Sequence, residues 1–360
     1  VNTLNPKRAT EDRSRTAINK LIAELLGHLG RGQYVGYTAT PFANVFVSPE
    51  DAEDIFPRDF IISLSAPPEY RGGRAYHDFE ELTAANERAF VRDLMASDDA
   101  DPDEVDAELL RALDSFVLSG AIKLWRASVD PGLSGAFRHH TMLVHESVSQ
   151  KAHADLALRI GRLWKRAGYG SPRANGRLRE LFERDFKAVT AARQWEPGIP
   201  RAGSFDDVAP FIGEVLDLVL NSNGDPVVVI NGDKEQQYRQ VDFQRERVWR
   251  ILVGGTKLSR GFTLEGLTTT YFKRKAMQAD SLMQMGRWFG YRPGYCDLVR
   301  LFMARGIKGR GRQVYDLYEA FGAIMKDEED FRAQLEVFSQ VQEDGAPAVR
   351  PIDVPPLVLQ

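Results

Sequence analysis

The sequence predicts an α/β fold: a parallel sheet covered by helices, with a helical insertion. Three observations predict it. The runs Thr141–His145, Pro226–Asn231, Trp249–Gly254, Thr268–Phe272 and Asp297–Met303 are continuously apolar and β-rich rather than alternating, as strands covered on both faces are. Amphipathic stretches at Gln150–Ala167, Asn175–Arg193 and Phe205–Leu220 alternate with those strands. The chain has no internal repeat and no low-complexity tract.

The elements follow in order. Ile18, Leu21, Ile22, Leu25, Leu26 and Leu29 recur at helical spacing, so Ala17–Leu29 reads as a helix, stopped by Gly30 and Gly32. A short strand at Gln33–Tyr37 runs into Thr38-Ala39-Thr40-Pro41, and Phe60–Leu64 reads as a strand ahead of the Pro/Gly-rich loop Ala66–Gly73. Phe79–Trp125 reads as helical, broken by the acidic loop Asp98–Glu104, and this region is expected to be an inserted helical layer. The Pro-rich tail Ala346–Pro356 reads as an extended strap. The organisation expected is a first-lobe remnant over 1–65, the insertion over 66–135, the main α/β lobe over 136–310, and a helix and tail over 311–360.

Composition sets outer bounds. A chain of 360 residues makes roughly two domains, and 43% hydrophobic with 27% charged residues excludes wholesale disorder. The lone Cys296 excludes a disulfide framework and a cysteine-rich zinc module. No apolar run approaches the ~20 residues needed to cross a bilayer, and the first residues lack an apolar signal core, so the expected location is cytoplasmic and no membrane partner is expected. A start at Val1 rather than methionine suggests a piece of a longer chain. The net charge of −4 conceals a polarity: Ser48–Ser119 holds 19 acidic residues against 6 arginines, and Lys234–Arg312 holds 17 basic against 6 acidic. The basic segment suits a polyanion; the acidic one does not.

Three motifs are expected at carboxyl ends of strands, where open parallel sheets bind ligands. The first is Thr38-Ala39-Thr40-Pro41, a stiff turn with hydroxyls. The second is Gly254–Gly266, whose glycines let backbone amides approach a phosphate and whose Arg260 supplies charge. The third is Gln284–Arg292, with Arg287 and Arg292 flanking glycines, as a charge clamp on a transferring phosphoryl group requires. Lys273-Arg274-Lys275 follows a strand and, with Lys257, is a candidate grip on a nucleic-acid backbone.

Other groups read as structural. Asp225, Asp233, Lys234 and Glu235 are the nearest approach to a carboxylate metal site, yet Asn223–Pro226 and Asn231–Asp233 are ordinary turn sequences, and turns are favoured. His139, His140, His145 and His153 cluster in sequence, but strand alternation separates their directions, and no metal site is expected. Trp288 and Phe289 read as core, and Cys296 as a buried strand residue.

Taken in order, these motifs resemble the late motifs of superfamily 2 helicases and translocases. More specifically, YVGYTATPFANVF, LVGGTKLSRGFTLEGL and QMGRWFGYRPGY resemble the Z1 domain, a family carrying an endonuclease label and associated with helicase-like ATPases of bacterial restriction and phage-defence clusters. The resemblance implies a RecA-like second lobe with Thr38, Thr40 and Pro41 as the coupling motif between lobes. It implies Gly255, Ser259, Arg260, Gly261 and Glu265 as the fifth motif, and Gln284, Gly286, Arg287 and Arg292 as the sixth, with an arginine finger at Arg287 or Arg292. It implies ATP and Mg2+ in a longer parent chain, and as partners DNA, a missing N-terminal ATPase lobe and other defence-system subunits. This chain alone has no GxxxxGK followed by Ser or Thr, and no tightly bound cofactor is expected. The spacing of the sixth motif, five residues from Arg287 to Arg292 instead of three, leaves the finger unassigned. A metal-dependent endonuclease and a non-catalytic DNA-binding scaffold are the alternatives.

Overall fold

The computed structural model describes residues 17–38, 57–77, 90–97, 100–147, 149–192, 196–230, 241–255, 264–274, 282, 285–308, 314–342, 345 and 348–351. They fall into two units, Val1–Ala66 with Asp327–Gln360, and Pro67–Lys326. In the smaller unit, α1 spans Ala17–Gly27. The stretches 33–37 and 60–64, expected as strands, pair with nothing among the described residues. Tyr34, Val35, Tyr37, Ile62 and Leu64 are exposed, Ile61 packs against Phe331, Leu335 and Phe338, and the Ser63 amide donates to Ser339 Oγ rather than to a ladder. Side chains rather than a neighbouring strand serve the backbone here, Leu64 O accepting from Arg332 Nη1 at 3.3 Å.

The larger unit is built on six parallel strands: β1 (Val91–Leu94), β2 (His140–His145), β3 (Val227–Ile230), β4 (Trp249–Gly254), β5 (Leu267–Phe272) and β6 (Arg300–Ala304). Their order is β1-β6-β5-β2-β4-β3. β2 pairs with β4 on one side and β5 on the other, with a register shift between Thr141 and Met142. The chain leaves β2 toward β3 and leaves β5 toward β6, in opposite directions across the sheet, so the carboxyl ends of β2 and β5 form its topological switch point. A two-stranded antiparallel ribbon, β7 (Ile307–Lys308) with β8 (Val314–Tyr315), lies apart from the sheet.

The expected helical insertion is corrected at two places. Val91–Leu94 is an edge strand, not helix. The 28-residue helix Pro102–Val129 is no peripheral layer but the central core helix. After α2 (Gly73–Tyr76) it is α3 in chain order. Its start is set locally: the Asp101 carboxylate accepts from the Asp103 amide, Pro102 fills the first turn, and Asp103 and Glu104 face the positive end of the dipole. Leu113, Phe116 and Val117 then pack with Met142, Val144, Ile251, Val253 and Tyr271 from the sheet. Gly120 lets the helix meet β2, because a Cβ there would lie 2.9 Å from His140 Nε2.

The same face carries α4 (Gln150–Ala167), α5 (Pro172–Leu181), the π-turn Phe182–Phe186, α7 (Phe205–Val208) and α8 (Ile212–Val219), while α6 (Lys187–Ala192) places Val189 in a second core. Phe272, Leu301 and Met303 form that core with Trp288, Tyr76 and Phe321, the last from α9 (Leu317–Leu335). Burial alone would raise the Asp185 carboxyl, but Arg300 and Arg92 beside it hold it down to about 2. That pair of arginines comes from β6 and β1, so the ion cluster fastens the edge of the sheet.

Candidate functional site at the amino edge of the sheet

The second and third motifs meet at the amino edge, around a residue the sequence reading passed over. Lys123 projects from α3 and is fully buried. Its Nζ donates to His139 O at 3.2 Å and Gly266 O at 3.4 Å, and sits 3.7 Å from the Tyr295 ring centroid. His139 immediately precedes β2 and Gly266 immediately precedes β5, which fixes the edge. Gly266 ends the second motif and Tyr295 closes the QMGRWFGYRPGY string. Burial, with Arg292 and Arg126 nearby, holds the Lys123 ammonium well below its ordinary value.

Gly266 is required here on two counts. Its φ is +69°, and a Cβ would lie 2.2 Å from His139 O. Its carbonyl also accepts from the Thr141 amide, while Thr141 Oγ1 donates to Glu265 O at 2.9 Å. The Glu265 carboxylate stands 3.6 Å from His139 Nε2. His139 Nδ1 accepts from the Val248 amide at 3.1 Å, so the proton of the neutral ring is on Nε2, toward Glu265. Burial first, then Arg138 and Lys123, lowers His139 to about 4.

The two arginines of the third motif differ in kind. Arg292 is buried and committed to its own turn: Nη1 donates to Tyr291 O at 2.7 Å, and Nη2 lies 3.2 Å from each of Arg287 O, Trp288 O and Phe289 O. Arg287 is half-buried, and burial, then Arg292, lowers its guanidinium. A neighbouring arginine, Arg126 of α3, donates to Gly294 O and forms a bidentate pair with Asp297 at 2.8 and 2.7 Å. Gly286 begins the same turn, and Trp288 is core, fully buried.

The carboxyl edge holds the remaining described candidates. Gly255 follows β4, and a Cβ there would come within 2.9 Å of His153 Cε1. Lys273 turns inward: it is buried and its Nζ donates to Ala96 O at 3.0 Å, which leaves no ammonium surface to grip a phosphate. Arg274 stands at the switch point beside β2, its Nη1 donating to His145 Nε2 at 2.9 Å. An arginine only donates, so His145 is neutral with its proton on Nδ1, and burial followed by Arg274 lowers it to about 3.

Carboxyl ends were expected for all three motifs; the second does begin at the carboxyl end of β4, and the other two are corrected. The second motif runs from the carboxyl edge at Gly255 to the amino edge at Gly266, and the third lies just ahead of β6. Thr38 follows an unpaired stretch in the smaller unit. Thr40, Pro41, Lys257, Ser259, Arg260, Gly261, Lys275 and Gln284 lie outside the described residues, as do Asp233, Lys234 and Glu235. Asp225 sits in a turn whose amides at Asn223 and Asp225 donate to Asn221 Oδ1. Among the described residues no group of three or more His, Cys, Asp or Glu is placed to hold a metal. Cys296 is buried in a 3-10 turn rather than a strand, and burial pushes its thiol up to about 11.

The Z1 domain family model matches residues 108–358, most of the chain and all of the larger unit's sheet beyond β1. The chain belongs to the Z1 domain family. No curated protein and no solved structure matches it. The match begins inside α3, so the Z1 region includes Lys123 as well as both motifs that Lys123 ties together. Among the described residues of this Z1 chain no helix is long and apolar enough to cross a membrane.

Proposed function

We propose that this chain supplies the arginine-bearing second lobe of an ATP-driven motor acting on DNA. The observation that carries the reading is the meeting of the second and third motifs on Lys123, a buried junction between the segment that ends at Glu265-Gly266 and the segment that bears Arg287. A motor lobe must report nucleotide state through its backbone, and two segments clamped to one core helix move as a unit. Between the candidate fingers, Arg292 holds its own turn together and Arg287 is the residue that reaches a transferring phosphoryl group. ATP with Mg2+ supplies the phosphoryl chemistry, its phosphate-binding lysine and magnesium-holding acids belonging to another lobe of the motor. A restriction or phage-defence setting is part of the same proposal. In the protein carrying this chain, Arg287→Ala should lower DNA-stimulated ATP turnover on the order of 10³-fold or more, with DNA affinity and melting temperature near the parent values. Turnover that survives Arg287→Ala refutes the assignment.

A further inference from the structure

From Leu156 to Arg179 the chain carries seven arginines and lysines and no acidic residue, where about three acids would be expected from its 51 in 360. This stretch covers most of α4, the turn after it and α5. Four of the seven cations are matched by carboxylates from other elements. Arg159 and Arg166 share Asp106, Arg177 pairs with Asp114, and Arg179 pairs with Asp206. Arg162, Lys165 and Arg173 are exposed and pair with no carboxylate among the described residues.

Two of these share one helix face, and the third follows within eight residues across a tight turn. Arg162 and Lys165 lie one helical turn apart on the outer face of α4. Gly168, left-handed at φ +58°, ends that helix, and the Ser171 amide closes a tight turn onto Gly168 O at 2.8 Å. Arg177 Nη2 then reaches back to Ala167 O at 3.3 Å, holding the start of α5 against the end of α4. Arg173 stands exposed in the first turn of α5, directly after this turn.

Helix electrostatics accounts for only part of this arrangement. Lys165 and Arg166 suit the negative end of α4, but Arg162 precedes that end. Arg173 sits in the first turn of α5, where a cation opposes the dipole and where no acidic residue offsets it. A cation held where it weakens its own helix, one tight turn from a helix that exposes two others, is suited to an external anion with closely spaced charges.

We infer that the α4–α5 corner, through Arg162, Lys165 and Arg173, is a binding surface for a nucleic-acid backbone. It lies outside the 234–312 segment singled out by charge. The inference rests on the DNA partner of the proposed function but not on ATP hydrolysis.

The test measures binding of a fluorescent 30-base-pair duplex by the whole chain across a salt series, without nucleotide. The variants are Arg162→Gln/Lys165→Gln/Arg173→Gln and, separately, Arg274→Ala. The expected result is at least a tenfold loss for the triple variant at about 100 mM salt, with the log–log salt slope shallower by about 2.7 and the melting temperature unchanged. Normal affinity and slope in the triple variant, with loss in Arg274→Ala, would place the DNA at the carboxyl edge and overturn this surface while leaving the partner intact. No binding by the unaltered chain would overturn both. Binding to anionic phosphatidylserine vesicles but not to the duplex would overturn it in favour of a membrane. If the triple variant does not fold, Arg173→Gln alone should remove about one unit of slope; an unchanged slope overturns the proposal.

Discussion

Replacing Arg292 by alanine separates a structural arginine from a phosphoryl-contacting one. The Arg292 guanidinium serves four carbonyls. Three of them share the single nitrogen Nη2, which has two hydrogens, so about three full hydrogen bonds are lost. At about 1.5–3 kcal/mol for each bond from a charged donor the gross loss is about 4.5–9 kcal/mol. Removing a buried cation close to Lys123 and Arg287 offsets part of that, as does access of water to the released carbonyls. A net loss of about 3–4 kcal/mol is expected. Arg287→Ala at a half-buried position should cost about 1 kcal/mol. Urea unfolding of the chain reads the difference: with a slope of about 3 kcal/mol/M, Arg292→Ala moves the midpoint down by about 1 M and Arg287→Ala by about a third of that. Arg292→Lys should recover only part, since an ammonium cannot reproduce the planar fork. Equal midpoints for Arg292→Ala and the parent chain would refute the carbonyl-holding role, and a larger drop for Arg287→Ala would reverse the assignment.

Gly266→Ala should destabilise by more than about 3 kcal/mol. It combines a left-handed backbone cost of about 1–2 kcal/mol with displacement of the His139 carbonyl that Lys123 holds. Gly198→Ala, at φ +93° with nothing within 4 Å of the added Cβ, is the control and should cost only the backbone part. A similar melting temperature for both variants would show that the close approach at Gly266 relaxes freely. Stability should also fall with acid. His77 and His139 are lowered to about 4 and His145 to about 3 from the ordinary 6.5, in each case first by burial. The unfolded chain therefore takes up protons as pH drops through 6.5 while the folded chain does not, so stability present above 6.5 is lost progressively toward 4 and below. A urea midpoint that stays flat from about pH 7 to about pH 5 would contradict this.

The parts of the fold legible in the sequence are those whose partners lie nearby or whose period is long. Trp249–Gly254 and Gln150–Ala167 match their expected spans because six continuous apolar residues and five helical turns leave no competing assignment. β1 was missed because Arg92 and Asp93 occupy the middle of a four-residue strand. Arg92 is satisfied by Asp185 in the π-turn, 93 residues on. Lys273 misled in the opposite sense. In the string KRK it reads as surface, yet its acceptor is Ala96 O, 177 residues away. Lys123 carried one weak signal, a single lysine within the apolar run Phe116–Trp125. Its meaning depends on two carbonyls and a ring that only the folded sheet assembles.

The destination of each cation decides what the charge polarity of this chain means. Within 234–312, Arg250 donates to Leu218 O, Val219 O and Trp249 O; Arg292 and Lys273 likewise end on carbonyls, and Arg300 ends on Asp185 and two carbonyls. These four hold loops and strand ends in a parallel sheet, where the turns at each edge expose carbonyls that no ladder satisfies. A basic excess in such a segment measures the number of carbonyls to be satisfied as much as it measures attraction for a polyanion. The stretch 156–179 differs because most of its carbonyls are bonded inside helices, and only Arg177 among its cations also reaches a carbonyl, that of Ala167, so the others need either a carboxylate or an external anion. Four have carboxylates and three face solvent. On that physical ground the α4–α5 corner, with a balance of +7 over 24 residues against +11 over the 79 residues of 234–312, is the better candidate for an outward-facing electrostatic surface.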